Sequence, residues 1–217
     1  MSKIVIFGAS GMIGQRAVQE ALSRGHEVTA AVRNPAKVTE QHPNLTVQAA
    51  DVNDPAAVEK IIAGADAVIS TVSPRTPGIE PAAQVAANIG SLLTALRSLG
   101  DSAPYLVVVG GAGSLLIGSG ERLVDQPFFP DIYKPEALAH AAGLETLRSV
   151  SDVAWTYVSP AGVIAPGERT GTFRLGDDYL VADAEGNSNI SAEDYAIVLI
   201  DEVEKREHAG RRFTAAY

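Results

Sequence analysis

The sequence predicts a doubly wound α/β fold, a parallel sheet covered by helices on both faces, with a small C-terminal lobe over the strand ends. Three observations predict it. Short apolar runs alternate with helical patterns along most of the chain. The runs are mostly continuous rather than alternating, as strands buried on both faces require. The first run ends in a glycine turn that opens directly into a helix.

The first strand is Ile4–Phe7. Gly8, Gly11 and Gly14 follow at Gly-x-x-Gly-x-x-Gly spacing, and Ala17, Val18, Ala21 and Leu22 then recur at helical spacing. Gly8 is free to take a positive φ in the turn. Gly11 removes a Cβ from the path of a phosphate, and Gly14 lets the helix approach the strand. With Ser10, Met12 and Ile13 the loop presents backbone amides at the positive end of a helix dipole, which predicts a diphosphate site.

The second and third strands are Glu27–Val32 and Leu45–Gln48. A helix over Asp54–Ile62 has Asp54 as its N-cap and Pro55 at its first position. Strand four, Ala67–Ser70, precedes a helix over Pro81–Leu99 that Gly100 ends. Strand five is Tyr105–Val109, followed by a helix over Glu136–Val150 and strand six, Trp155–Val158. The last helix, Ala192–Lys205, is capped by Ser191 and carries Asp194 in its first turn.

Between Ala161 and Asn189 the rhythm breaks at Pro166, Gly167, Gly171, Gly176 and Gly186. Two strand-like pieces, Gly171–Arg174 and Tyr179–Val181, stand there. The segment reads as a lobe over the carboxyl ends of the strands, where open α/β sheets bind substrates. No repeat or linker divides the chain, so residues 1–217 read as one domain.

A net charge of −9 and a pI of about 4.9 speak against a nucleic-acid surface, which needs clustered Lys and Arg. The absence of cysteine excludes thiol nucleophiles and Cys-ligated zinc. His26 and His42 lack metal-like spacing with carboxylates, so no metal is expected. No window is apolar enough to cross a membrane, and strand one begins at once, leaving no room for a signal peptide. These point to a cytoplasmic protein that handles a small molecule, as a monomer or weak homodimer.

The end of strand two discriminates among nucleotides. Where an acidic residue would hold the adenosine ribose hydroxyls, Val32 is followed by Arg33. A guanidinium suits a 2′-phosphate, so NADP(H) is expected in preference to NAD(H). Asp51 and Val52, after strand three, are a candidate adenine wall, with a turn-capping Asp the equal alternative. Thr71, Val72 and Ser73 follow strand four beside the expected path of a dinucleotide. Gly110 and Gly111 follow strand five, where a backbone can approach a flat nicotinamide ring.

The opening Ile4–Gly14 block and the Ala31–Val38 block resemble the atypical short-chain dehydrogenase/reductase superfamily. Further blocks at Val108–Leu115, Tyr133–Leu138, Trp155–Ala161 and Ile190–Ala196 are similar to a group within it. That group holds NmrA-like proteins, biliverdin reductase B and NADH-flavin reductases. The resemblance spans essentially the whole chain. It implies a Rossmann core, an NAD(P) cofactor with Pro160 beside it, and reduction of a small aromatic or quinone-like acceptor.

The chain departs from the superfamily at its acid/base pair. Members carry Tyr-x-x-x-Lys, the Lys favouring phenolate. No Tyr here has a Lys four residues on. Aligning Glu145 with the Glu that follows that Lys places Ala137 and Ala141 at the Tyr and Lys positions. Candidate catalytic groups are therefore Tyr133 and Lys134 at a helix entry, His140 two turns along, and Ser114 after strand five, for which a helix cap is the plainer role. Phe128 and Phe129 could stack on a planar acceptor or simply pack. The expected activity is NADPH-dependent hydride transfer to a flavin-, quinone- or bilin-like acceptor. The alternative is a non-catalytic NADP(H) sensor, with a nucleotide-sugar epimerase or dehydratase ranked third.

Overall fold

The computed structural model describes residues 1–217. Its strands are β1 (Lys3–Phe7), β2 (Glu27–Val32), β3 (Leu45–Ala49), β4 (Ala67–Ser70), β5 (Tyr105–Val109), β6 (Trp155–Ser159), β7 (Val163–Ala165), β8 (Arg174–Gly176), β9 (Asn189–Ser191) and β10 (Arg212–Ala216). Its helices are α1 (Met12–Ser23), α2 (Pro55–Ile62), α3 (Pro81–Leu99), α4 (Lys134–Arg148) and α5 (Ala192–Lys205). The main sheet has eight strands in the order β3-β2-β1-β4-β5-β6-β10-β8. Every pairing in it is parallel except β10 with β8. Chain order reverses between β1 and β4, so their carboxyl ends open a crevice of the kind that binds ligands in such sheets.

Both faces are covered, which explains the continuous apolar strands. Alternate strand residues Ile4, Ile6, Val107 and Val109 pack with α1 and α5 on one face. Val5, Phe7, Leu106 and Val108 pack with α2, α3 and α4 on the other. The caps form as the sequence predicts. Asp54 Oδ1 accepts from the Ala56 and Ala57 amides at 3.1 and 3.2 Å, and Ser191 Oγ accepts from the Asp194 amide at 3.0 Å. Each such cap contributes about 1 kcal/mol.

Several features differ from the sequence expectation, among them the short strands β7 and β9, which it does not predict. Helix α4 begins at Lys134 rather than Glu136, because Pro135 fits the first turn, and it ends at Arg148 rather than Val150. Strand β10 has no counterpart in the predicted elements. It opens on a charged residue in a segment of small and polar side chains, and its register with β6, Arg212↔Tyr157 through Thr214↔Ser159, makes it a strand. The two strand-like pieces of the lobe also shift. Gly171 has φ +71° and turns the chain, so the strand runs over Arg174–Gly176, and Tyr179 makes only a single bridge to Leu116.

The segment 161–189 is tied to the main body. β7 and β9 form a small parallel ladder of their own. Arg169 donates to both carboxylate oxygens of Glu20 on α1, each at 2.9 Å, and the Gly167 amide donates to Glu193 on α5 at 2.7 Å. β8 then returns to the main sheet as its edge.

Candidate functional site

The loop after β1 has the geometry its glycines predict. Gly8 has φ +77°, and its amide donates to the Ala31 carbonyl at 3.2 Å. A Cβ on Gly8 would stand 2.7 Å from Thr71 Oγ1. A Cβ on Gly14 would stand 2.2 Å from the Gly8 carbonyl oxygen, so α1 sits as close to β1 as glycine permits. Gly11, the N-cap of α1, would meet only the Gly8 oxygen, at 3.2 Å. No side chain caps this helix. The amides of Met12, Ile13 and Gly14 are therefore free for an anion at the positive end of the dipole, with Ser10 exposed beside them. The residues fit a dinucleotide diphosphate.

The neighbouring strand ends add the rest of the rim. Arg33, just past β2, is exposed and has no carboxylate partner. Asp51, past β3, accepts from the Asn53 amide at 3.0 Å and from the Asn53 side chain at 3.1 Å, which is the turn-capping role. Val52 is buried among core residues of α2 and α3. Past β4, Thr71 Oγ1 donates to the Phe7 carbonyl at 2.9 Å, locking the β4 loop against the glycine turn. Val72 is half-buried and Ser73 exposed, with the Ser73 carbonyl accepting from the Arg75 amide at 2.9 Å.

The glycines past β5 have an internal reason that the sequence could not show. A Cβ on Gly110 would fall 2.0 Å from the Tyr157 ring, so the flat ring that approaches this backbone is the protein's own. A Cβ on Gly111 would lie 3.2 Å from His140 Cβ, and one on Gly113 would lie 2.7 Å from Ala137 Cβ. These glycines seat α4 on the sheet. The Tyr157 hydroxyl accepts from the Gly111 amide at 3.3 Å and donates to the His140 carbonyl at 2.8 Å. Burial raises its pKa beyond the range of acid/base work at neutral pH.

His140 is buried beneath Gly111, with its nearest carboxylate, Glu136, 4.0 Å away. Burial lowers its pKa, outweighing the attraction of Glu136, and Arg75 lowers it further. It is held neutral and packed rather than poised as a donor. Because the unfolded chain binds this proton more readily, stability is complete above the ordinary histidine value of 6.5 and falls as pH drops below it. His140→Gln should flatten that fall in melting temperature between pH 7 and 5. An unchanged slope would remove His140 as its source.

The other catalytic candidates are dispersed. Tyr133 is 56% exposed at the entry to α4, and Lys134 Nζ pairs with Asp131 at 2.7 Å. Ser114 caps no helix. Its Oγ accepts from Arg212 at 3.2 Å. Pro160 is buried past β6, and its carbonyl accepts from Thr214 at 3.4 Å. Ala137 and Ala141 are both buried. Sequence reasoning missed two side chains on α3. Gln84 holds the β4 loop through the Thr76 amide at 2.8 Å and the Ile79 carbonyl at 2.6 Å. One turn on, Asn88 is buried without a side-chain hydrogen bond. Polar residues inside an apolar helical pattern were the available signal.

Large apolar side chains stand exposed on the loops around this crevice: Met12 at its glycine turn, Ile79 past β4, and Phe128, Ile132 and Tyr133 before α4. An exposed apolar rim around polar strand ends suits a small, flat ligand. No helix is long and apolar enough to cross a membrane.

Comparison with known proteins agrees with this geometry. A solved protein from Burkholderia pseudomallei, a proposed exported protein, is 47% identical, with each chain fully covered and a TM-score of 0.86. A proposed epimerase from Bacteroides thetaiotaomicron is 40% identical over 100% of this chain and 97% of its own, with a TM-score of 0.88. SP1627 of Streptococcus pneumoniae TIGR4, a proposed NADH-flavin reductase, is 35% identical over 100% and 99%, with a TM-score of 0.85. The family model described as NAD(P)H-binding matches residues 8–206, from the first glycine of the turn to the end of α5, and the chain belongs to that NAD(P)H-binding family.

Proposed function

We propose that the protein is an NADPH-dependent reductase of a small planar acceptor of the flavin, quinone or bilin kind. One observation carries this reading. A diphosphate loop of complete geometry is combined with the absence of any Tyr-x-x-x-Lys pair, in whose place the resemblance puts Ala137 and Ala141. The nicotinamide, when bound, supplies hydride. The chain's own part is to hold and orient: amides of α1 for the diphosphate, Arg33 for the 2′-phosphate, and the apolar rim for the acceptor. An acceptor that takes its proton from solvent needs no protein acid. Tyr157 and His140, both committed to packing, offer none. The segment 161–189 forms the acceptor-side wall, and the proposed site of action is the cytoplasm.

The name of the Streptococcus relative favours this class of acceptor. The epimerase name of the Bacteroides relative is not carried over, because that chemistry needs the missing acid/base pair. The same alanines favour a second reading, a regulatory protein that binds NADP(H) without turnover.

NADPH oxidation followed by absorbance with FMN, menadione and biliverdin tests both. Turnover with any of them supports the reductase. Tight NADPH binding with no turnover supports the sensor, and no binding removes both. In the same assay Arg33→Ala should weaken NADPH by about 1.5–3 kcal/mol, the worth of a charged hydrogen bond, and leave NADH unchanged. Equal losses for the two cofactors would contradict the 2′-phosphate role.

A further inference from the structure

A cavity of about 370 Å³ lies beside α4. Its wall follows α4 from Leu138 to Arg148, toward the end of the helix that leads into β6. Its floor is Arg212, the first residue of β10, which pairs with Tyr157 of β6 next to the sheet edge. None of the diphosphate-loop residues lines it.

The lining has two halves. Leu116, Leu138, Ala141 and Ala142 give an apolar wall. Beside them Arg122, Arg148 and Arg212 outnumber the carboxylates Glu145 and Asp178 of the lining, in a chain whose net charge is −9. The Arg212 side chain is 2% exposed. Its Nε donates to Asp178 Oδ1 at 2.7 Å, and Arg148 donates to the same oxygen at 2.8 Å. One carboxylate oxygen thus serves two guanidiniums. Arg212 Nη1 reaches Ser114 Oγ at 3.2 Å. That leaves the Ser114 hydroxyl proton without an acceptor in the chain. At the mouth, the Arg122 side chain donates to both carboxylate oxygens of Asp125, at 2.7 and 2.9 Å, in an exposed pair that leaves part of the guanidinium open to a ligand.

We propose that this cavity is a second small-molecule site, for a compact apolar molecule bearing one carboxylate. The carboxylate accepts from Ser114 Oγ and faces Arg212 and Arg122, while the ring or branched body lies on the α4 wall. The volume falls at the small end of ligand pockets, which fits a one- or two-ring acid. Charge-assisted hydrogen bonds from a guanidinium already fixed by Asp178 require little reorganisation. The assignment does not rest on the reductase reading, because neither the glycine turn nor Arg33, the residues given to the cofactor, lines this cavity.

Calorimetric titration of the full chain with 2-naphthoate and with its uncharged counterpart 2-naphthylmethanol tests it. The acid is expected to bind with a Kd of about 1 mM or tighter, and the alcohol about tenfold more weakly. Ala142→Trp, which fills the cavity from the exposed side of α4, should abolish binding with the melting temperature unchanged. Arg122→Gln should weaken the acid alone. Saturating NADPH should not compete. Absence of binding, equal affinity for acid and alcohol, binding that survives Ala142→Trp in a folded variant, or competition by NADPH would each overturn the assignment.

Discussion

Gly14→Ala is expected to destabilise the fold and abolish cofactor binding together. The new methyl would stand 2.2 Å from the Gly8 carbonyl oxygen and 2.8 Å from Ala9 Cα. Both obstacles are backbone, so no side chain can swing aside. Either α1 lifts from β1 or the glycine turn distorts. Overpacking of a well-filled core costs about 1–3 kcal/mol, and a backbone obstacle belongs at or above the upper end. Gly11→Ala supplies the contrast. Gly11 has φ −80°, which alanine adopts freely, and its Cβ would meet only one oxygen at 3.2 Å. That methyl would project where the diphosphate approaches. Gly11→Ala should cost about 1 kcal/mol or less, well below Gly14→Ala, and still lose NAD(P)H affinity by at least about tenfold. Calorimetric melting and NADPH titration of the two variants check the pair. If Gly14→Ala melts like the parent, the close packing of α1 on β1 is not what this glycine provides.

These two glycines show which part of the molecule was legible. The turn after β1 is decided by residues adjacent in sequence, so spacing alone places the loop, its free amides and its helix. The position of Arg33 was legible for the same reason. It directly follows β2, whose end the sequence places at Val32. Gly110 was legible as a close approach but not as an approach to Tyr157, because that contact joins β5 to a residue 46 positions beyond Gly111. His140 was legible as a histidine on α4, more often packed or at the surface than catalytic, but its place under Gly111 was not. Strand β10 was invisible because its pattern is weak and its identity comes from pairing with β6. The flank cavity has the same origin. Ser114, Arg148, Asp178 and Arg212 are distant in sequence and meet only because β8 and β10 complete the sheet edge.

Asp194→Ala is expected to cost about 3–5 kcal/mol, the range for stripping the partner from buried, charge-bound donors. Asp194 is 0% exposed. Its Oδ1 accepts from the Thr170 and Gly171 amides at 2.8 and 2.9 Å. Its Oδ2 accepts from the Thr170 hydroxyl at 2.5 Å and the Tyr217 hydroxyl at 2.9 Å. Burial pushes its pKa up, but the hydrogen bonds from Thr170, Gly171 and Tyr217 together hold it below the ordinary carboxylate value of 3.8. The stability it contributes is therefore complete above that value and is lost as pH falls through the lower folded value. One first-turn residue of α5 thus fastens the turn at 170–171 and the chain beyond β10 to the body. Asp194→Asn keeps an acceptor for the two amides and offers donors to two hydroxyls that can rotate, so it should cost less than half as much. Chemical denaturation of both variants, with limited proteolysis of the 161–189 segment, separates the outcomes. Early cleavage of that segment in Asp194→Ala, ahead of global unfolding, is the expected pattern. Equal losses for Ala and Asn would mean that charge, rather than acceptor geometry, carries the fastening.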